Sequence, residues 1–184
     1  MSNRAKTLIL HGWGGSDNPH WQSWLAGEIA KDYGKVHFPL LENPHFPTKK
    51  KWMAQVKKIL KEFQPEVVIC HSMANTLWFH LCEEGEMEVV ERLLMVAPPR
   101  MDLDLAAIKT FFPAHYPKKL YAKEVMLVTS TDDPYLTQEE ATAMRIALSV
   151  PMKVIEKGGH LNSDSNYGQW PWVLEWVNQG RRSF

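Results

Sequence analysis

The sequence predicts an α/β protein: a three-layer α/β/α sandwich around a mostly parallel sheet of about six strands. Three observations carry that expectation. Six short strand-like runs, at 7–10, 35–38, 66–70, 92–97, 125–130 and 152–155, alternate with segments whose apolar residues recur at the helical period. Most of these runs are continuously apolar rather than alternating, the pattern of strands buried on both faces and therefore of parallel strands covered by helices. Each run also stops abruptly at glycine, proline or a polar residue.

In chain order, Thr7-Leu8-Ile9-Leu10 is a buried strand that gives way to the glycine-rich loop His11-Gly12-Trp13-Gly14-Gly15. Asn18-Pro19 reads as a helix N-cap with proline at the first helical position. Trp21, Trp24, Leu25 and Ile29 follow at helical spacing, and Gly34 stops that helix. The second run, 35–38, is a strand closed by Pro39, and the loop from Leu40 to Pro47 is punctuated by Asn43, Pro44 and Pro47. Thr48 can cap the next helix, whose stripe is Trp52, Met53, Val56, Ile59, Leu60 and Phe63, and Pro65 ends it. Val67-Val68-Ile69-Cys70 ends at His71-Ser72, and Ala74, Leu77, Trp78 and Leu81 begin a helix at once that runs to about Gly85.

The fourth strand, 92–97, is stopped by Pro98-Pro99. Residues 100–123 are less regular, with a short helix expected around 103–112. After the fifth strand, Thr131-Asp132-Asp133-Pro134 is a turn, and Thr137 with Glu140 forms a capping box that opens a helix to about Leu148. After the sixth, Gly158-Gly159-His160 begins a long polar loop, and Pro171 opens a last helix with Trp170, Val173 and Val177 on its apolar side.

No repeat, low-complexity tract or linker divides the chain, so its 184 residues are expected to form a single domain over 1–184. Formal net charge is zero and no basic stripe is present, which argues against nucleic acid or an anionic membrane as partner. The run Lys49-Lys50-Lys51 opens a helix and reads as its solvated face. Cys70 and Cys82 fall on a buried strand and the helix after it, and two free thiols fit a reducing cytosol. Only four apolar-type residues separate the first six residues from His11-Gly12, too few for a signal-peptide core or a membrane span. A cytoplasmic location is expected. The sequence holds no H-E-x-x-H, C-x-x-C, Walker or G-x-G-x-x-G motif, so neither a metal nor a dinucleotide cofactor is expected. Oligomeric state is not legible.

In parallel sheets, ligands bind beyond the carboxyl ends of the strands. Ser72 follows the third strand, Asp132 and Asp133 the fifth, and His160 the sixth. Strand, serine and helix with no residues to spare is the outline of a nucleophile elbow, which presents the hydroxyl above the sheet and turns the next N–H toward an oxyanion. A serine hydroxyl is a weak nucleophile and needs a base within hydrogen-bond reach. A neutral histidine can take the proton, and a carboxylate can orient the ring and stabilise the imidazolium. Taken one at a time, Ser72 reads as a helix cap, Asp133 as turn chemistry and His160 as a loop residue. Together they fall at strand ends in the order Ser, Asp, His. Met73 N–H is one expected oxyanion donor, and Trp13 N–H, in the loop after the first strand, is the second.

These segments resemble the α/β-hydrolase superfamily in minimal form. They are most similar to the small serine hydrolases typified by retinoblastoma-binding protein 9 and the bacterial YdeN-type proteins. The matching pieces are Leu8-Ile9-Leu10-His11-Gly12, His20-Trp21-x-x-Trp24-Leu25, His71-Ser72, Ser130-Thr131-Asp132-Asp133-Pro134-Tyr135, Gly158-Gly159-His160 and Tyr167-Gly168-x-Trp170-Pro171. The resemblance implies cofactor-free serine-hydrolase catalysis on an ester, thioester or amide, with Ser72 as nucleophile, Asp133 as acid and His160 as base. Asp133 is preferred to Asp132 because Asp133-Pro134-Tyr135-Leu136 matches the family's step into the next helix. The chain departs from the family at the elbow, where Cys70 and Ala74 stand at the glycine positions. That departure favours the alternative, a non-catalytic interaction module keeping the fold. His71 and His11 read as structural, and Cys70 as an inert strand thiol. Trp13 and Trp170 are expected to line a pocket. No large cap domain is expected, since only 100–123 is free to cover the site, which suggests a small pocket for a short acyl group.

Overall fold

The computed structural model describes residues 5–179. Six strands, β1 (Thr7–Leu10), β2 (Val36–His37), β3 (Val67–His71), β4 (Val90–Val96), β5 (Ala122–Ser130) and β6 (Met152–Ile155), form one sheet in the order β2-β1-β3-β4-β5-β6. Every pairing is parallel. Among the described residues, α1 (Trp21–Lys31), α2 (Lys49–Phe63), α3 (Met73–Glu84) and α4 (Gln138–Leu148) connect strands, and α5 (Pro171–Asn178) follows β6.

Successive strand side chains point to opposite faces, and the core divides accordingly. Leu8, Leu10, Val68, Cys70, Leu93, Met95 and Leu127 pack with α2, α3 and α4 on one face. Ile9, Val67, Ile69, Leu94, Val96 and Val128 pack with α1 and α5 on the other. Both faces of the central strands are therefore dry, which is why these runs carry so few polar residues. Burying each such side chain contributes roughly 1.5–3 kcal/mol.

Four local expectations are corrected. The first helix begins at Trp21, after the Asn18-Pro19 step. The Asp17 carbonyl accepts the His20 N–H at 2.9 Å, so the chain turns there, and His20 is the cap, its Nδ1 accepting from Gln22 N–H at 3.1 Å. Thr48 precedes α2 but its hydroxyl caps nothing; the Lys49 N–H donates instead to Thr110 Oγ1 at 3.0 Å. The segment expected to be helical at 103–112 is a 3₁₀ turn, Ala106–Phe111, with Ile108 out of helical conformation. Finally, β5 starts at Ala122, before its apolar run. Its polar end is held by ion pairs to β4, Lys123 with Glu91 and Arg92 with Glu124.

Other signals hold as expected. The Thr137–Glu140 capping box has both of its hydrogen bonds, and Gly85 ends α3 in the left-handed region. Gly34 sits where a Cβ would lie 2.4 Å from the Ile29 carbonyl oxygen, so only glycine fits the turn after α1. Among the described residues no helix is long and apolar enough to cross a membrane.

Candidate active site

Parallel strands all end on one edge, and there the structure gathers the candidate residues. Ser72 stands between β3 and α3 with φ 55° and ψ −125°, a strained conformation for a residue with a Cβ. Its hydroxyl makes no cap bond to α3. It lies 2.8 Å from His160 Nε2 instead. His160 Nδ1 is 3.0 Å from both carboxylate oxygens of Asp133. A ring nitrogen facing a carboxylate carries the proton, so Nε2 is left as acceptor and the Ser72 hydroxyl donates to it. Asp133 and His160 are both buried. Asp133 Oδ1 also accepts the Tyr135 N–H at 2.9 Å, and the Tyr135 ring stands edge-on to His160 with centroids 4.7 Å apart.

The two adjacent aspartates divide the work. Asp132 Oδ1 accepts from Gly159 N–H at 2.7 Å and from the Ser130 hydroxyl at 2.9 Å. These donors, the Gly159 N–H foremost, hold the Asp132 carboxyl below its ordinary range. Asp132 thus ties the turn after β5 to the loop after β6, while Asp133 faces the imidazole.

The elbow is held by Asn75, which the sequence pattern did not single out, and by His71, which it read as structural. Asn75 Nδ2 donates to the carbonyls of Ser72 and Val96, each at 2.9 Å, and Ser72 N–H donates to Val96 O at 2.9 Å. His71 Nε2 donates to the His160 carbonyl at 3.1 Å. Beside it, Trp21 Nε1 donates to the Leu161 carbonyl at 2.8 Å, where Leu161 takes a left-handed φ of 50°. The backbone at His160 and Leu161 is therefore held by two ring N–H groups. An Asn at the third helical position and a His before the serine were the available signals, but the acceptors at Val96 and His160 are remote in sequence.

The loop after β1 closes against the elbow. A Cβ on Gly12 would lie 2.9 Å from Ser72 Cβ and 3.3 Å from Met73 N, so this approach requires glycine. His11 Nε2 accepts the Leu41 N–H at 2.9 Å, which leaves Nδ1–H to donate to the Gly12 carbonyl at 2.7 Å. Trp13 Nε1 donates to His45 O at 2.8 Å and Gly14 N–H to Pro44 O at 2.8 Å. Among the described residues, neither Trp13 N–H nor Met73 N–H has a backbone acceptor, and both residues line a cavity with Ser72.

That cavity, about 130 Å³, is walled by Pro99, Leu103, Leu105, Ile108 and Tyr135. A second, about 200 Å³, shares Ser72, His160 and Asn162 with it and is polar, with Gly12, Gly15, His20, Ser163 and Asp164 in its lining. Trp13 borders both. Trp170 borders neither. It packs against Trp21, Tyr167 and Trp172 in the core, because α5 turns its N-terminal end into the sheet face. The 100–112 segment is a wall of the first cavity, with Leu103 and Ile108 rooted in the core. Cys70 is fully buried and burial pushes its thiol well up, so it is no rival nucleophile. Its side chain lies with Ala74 in the core on the α2 and α3 face, clear of the cavities beside Ser72.

Three buried histidines surround this centre, and burial lowers the affinity of each for a proton. His20 is brought down to about 4, with further lowering by His160 and His11; His71 lies well below its ordinary value and His11 below it. An unfolded imidazole titrates near pH 6.5. Between that pH and 4 the unfolded chain binds more protons at His20 than the folded chain does. The corresponding stability is full above about pH 6.5 and is lost as pH falls toward 4, amounting to about 3 kcal/mol for His20. A lower Tm at pH 5 than at pH 7 is expected, with a smaller difference in His20→Gln. Equal Tm values at the two pH values would contradict neutral, buried imidazoles.

The fold, with its parallel sheet and strand-to-helix serine turn, is that of the α/β-hydrolases. The family model described as serine hydrolase matches residues 7–179, and the chain belongs to that family. It is similar to the ydeN gene product of B. subtilis, at TM-score 0.82 and 16% identity over 95% of this chain and 97% of that one. A YdeN-like protein from Pectobacterium atrosepticum aligns at TM-score 0.78 and 18% identity, covering 97% and 91%. The esterase domain of a Rhodothermus marinus protein aligns at TM-score 0.67 and 16% identity, covering 99% and 89%. No curated protein matches the sequence.

Proposed function

We propose that the chain is an esterase-like hydrolase of small esters, with thioesters and amides as related acyl donors, acting through an acyl-enzyme on Ser72. The observation that carries this reading is the continuous path from Ser72 Oγ through His160 to Asp133, at 2.8 and 3.0 Å. Ser72 Oγ attacks the carbonyl carbon as His160 Nε2 takes its proton, and Asp133 stabilises the imidazolium. Charge on the carbonyl oxygen is held by the N–H groups of Trp13 and Met73, each worth about 3–4 kcal/mol of barrier. His160 then protonates the leaving group. Water, activated by the same nitrogen, releases the acid and restores Ser72.

The substrate class follows from the smaller cavity. Its apolar walls and volume of about 130 Å³ suit a short acyl chain, and Leu103 and Ile108 cannot retreat because the core holds them. The alternative of a non-catalytic module rested on Cys70, and Ser72 keeps its strained φ of 55° with that cysteine in place. A fluorophosphonate probe tests the reading: peptide mass spectrometry is expected to find the adduct on Ser72, with short p-nitrophenyl esters hydrolysed faster than long ones. Folded protein that takes no label, or a strong preference for long acyl chains, would overturn it.

A further inference from the structure

The polar cavity beside Ser72 is unused by the mechanism above. Met73, the residue after the nucleophile, lines only the apolar cavity, so the acyl group held by the oxyanion donors belongs there. Ser163 and Asp164, from the loop that carries the base, line only the polar one. A leaving group must take its proton from His160 Nε2; His160 borders both cavities, and with the acyl group in the apolar one the polar one is left for the leaving group.

The charge of this lining is one-sided. Asp164 is exposed, and among the described residues no lysine or arginine pairs with it. His20 adds no opposing charge near neutral pH: its Nδ1 accepts from Gln22 N–H, and burial keeps it unprotonated until about pH 4. The half-exposed indole of Trp13 lies in the same lining, and an indole face attracts organic cations. The turn that carries Asp164 is also held in place. Asn162 Oδ1 accepts from Ser165 N–H at 3.1 Å and from the Ser165 hydroxyl at 2.9 Å, and Ser165 Oγ accepts the His160 N–H at 3.2 Å. The turn Ser163–Ser165 is thereby knitted to the base itself.

We propose that this cavity is a leaving-group subsite selecting a cationic alcohol or amine, recognised by the Asp164 carboxylate and the Trp13 indole. The inference rests on the Ser72 hydrolase reading. An ester whose acyl part is short and apolar and whose alcohol part carries a quaternary or protonated amine fits the two cavities in one orientation.

The test compares kcat/KM for propionylcholine and its neutral isostere 3,3-dimethylbutyl propionate. Wild type is expected to prefer the cationic ester about fivefold. That ratio falls toward one in Asp164→Asn and inverts for an anionic alcohol ester in Asp164→Lys. If the variants do not fold, the wild-type ratio still answers, since it is expected to shrink with rising salt. A wild-type ratio of one, or a ratio unmoved by Asp164→Asn and by salt, overturns the subsite. Ser72-dependent hydrolysis of the neutral ester then leaves the hydrolase reading standing. Hydrolysis of neither ester, with no label on Ser72, overturns both.

Discussion

Ser72→Ala is expected to lower kcat on a short-chain ester about 10⁶-fold. Among the described residues, the hydroxyl is the one group bonded to His160 Nε2, at 2.8 Å. Cys70, the nearby thiol, is fully buried and held protonated by its surroundings. Alanine tolerates the φ of 55° no better and no worse than serine, and the backbone bonds from Ser72 N–H to Val96 and from Asn75 to Ser72 remain. A Tm close to wild type should therefore accompany the loss. Residual catalysis from the two oxyanion donors and from binding is expected, as in enzymes of this kind. A variant retaining more than a tenth of the wild-type kcat would remove Ser72 from the mechanism.

Asp133→Asn is expected to cost about 10⁴-fold in kcat, with KM little changed. The carboxylate fixes the proton on His160 Nδ1 by facing it with both oxygens at 3.0 Å. An amide there can present its N–H₂ to Nδ1, which moves the ring proton to Nε2 and removes the acceptor for the Ser72 hydroxyl. Asp132 cannot substitute, because its Oδ1 is committed to Gly159 N–H and the Ser130 hydroxyl. Steady-state kinetics on one ester series decides it: a loss below tenfold would mean that Asp133 only shapes the turn.

The sheet and the three strand-end residues were legible in the sequence because both depend on local or repeating signals. β6 begins and ends at Met152 and Ile155 as expected; Ser72 follows β3 directly, and Asp133 and His160 lie in the short turns that follow β5 and β6. What escaped depends on long-range contact. The polar start of β5 at Ala122 is strand because it pairs in parallel with β4 from Val90 onward, with Lys123 and Glu124 facing charge partners there. The Thr48 hydroxyl makes no cap bond, and the contact that the start of α2 does make, Lys49 N–H to Thr110 Oγ1, comes from a residue remote in the chain. Asn18-Pro19 carries a strong helix-start pattern, yet the Asp17 carbonyl claims the His20 N–H and delays α1. Trp170 looked like a pocket residue from its neighbours in sequence, and its aromatic partners Trp21, Tyr167 and Trp172 put it in the core. The polar cavity was invisible for the same reason: Gly15, His20 and Asp164 come from three distant segments.

One adjacency has a mechanical consequence. His71 and Ser72 are consecutive residues at the end of β3, the first bonded to the carbonyl of His160 and the second to its Nε2. One strand end therefore bears on both the backbone and the ring of His160, so a change in its position acts on the two contacts at once.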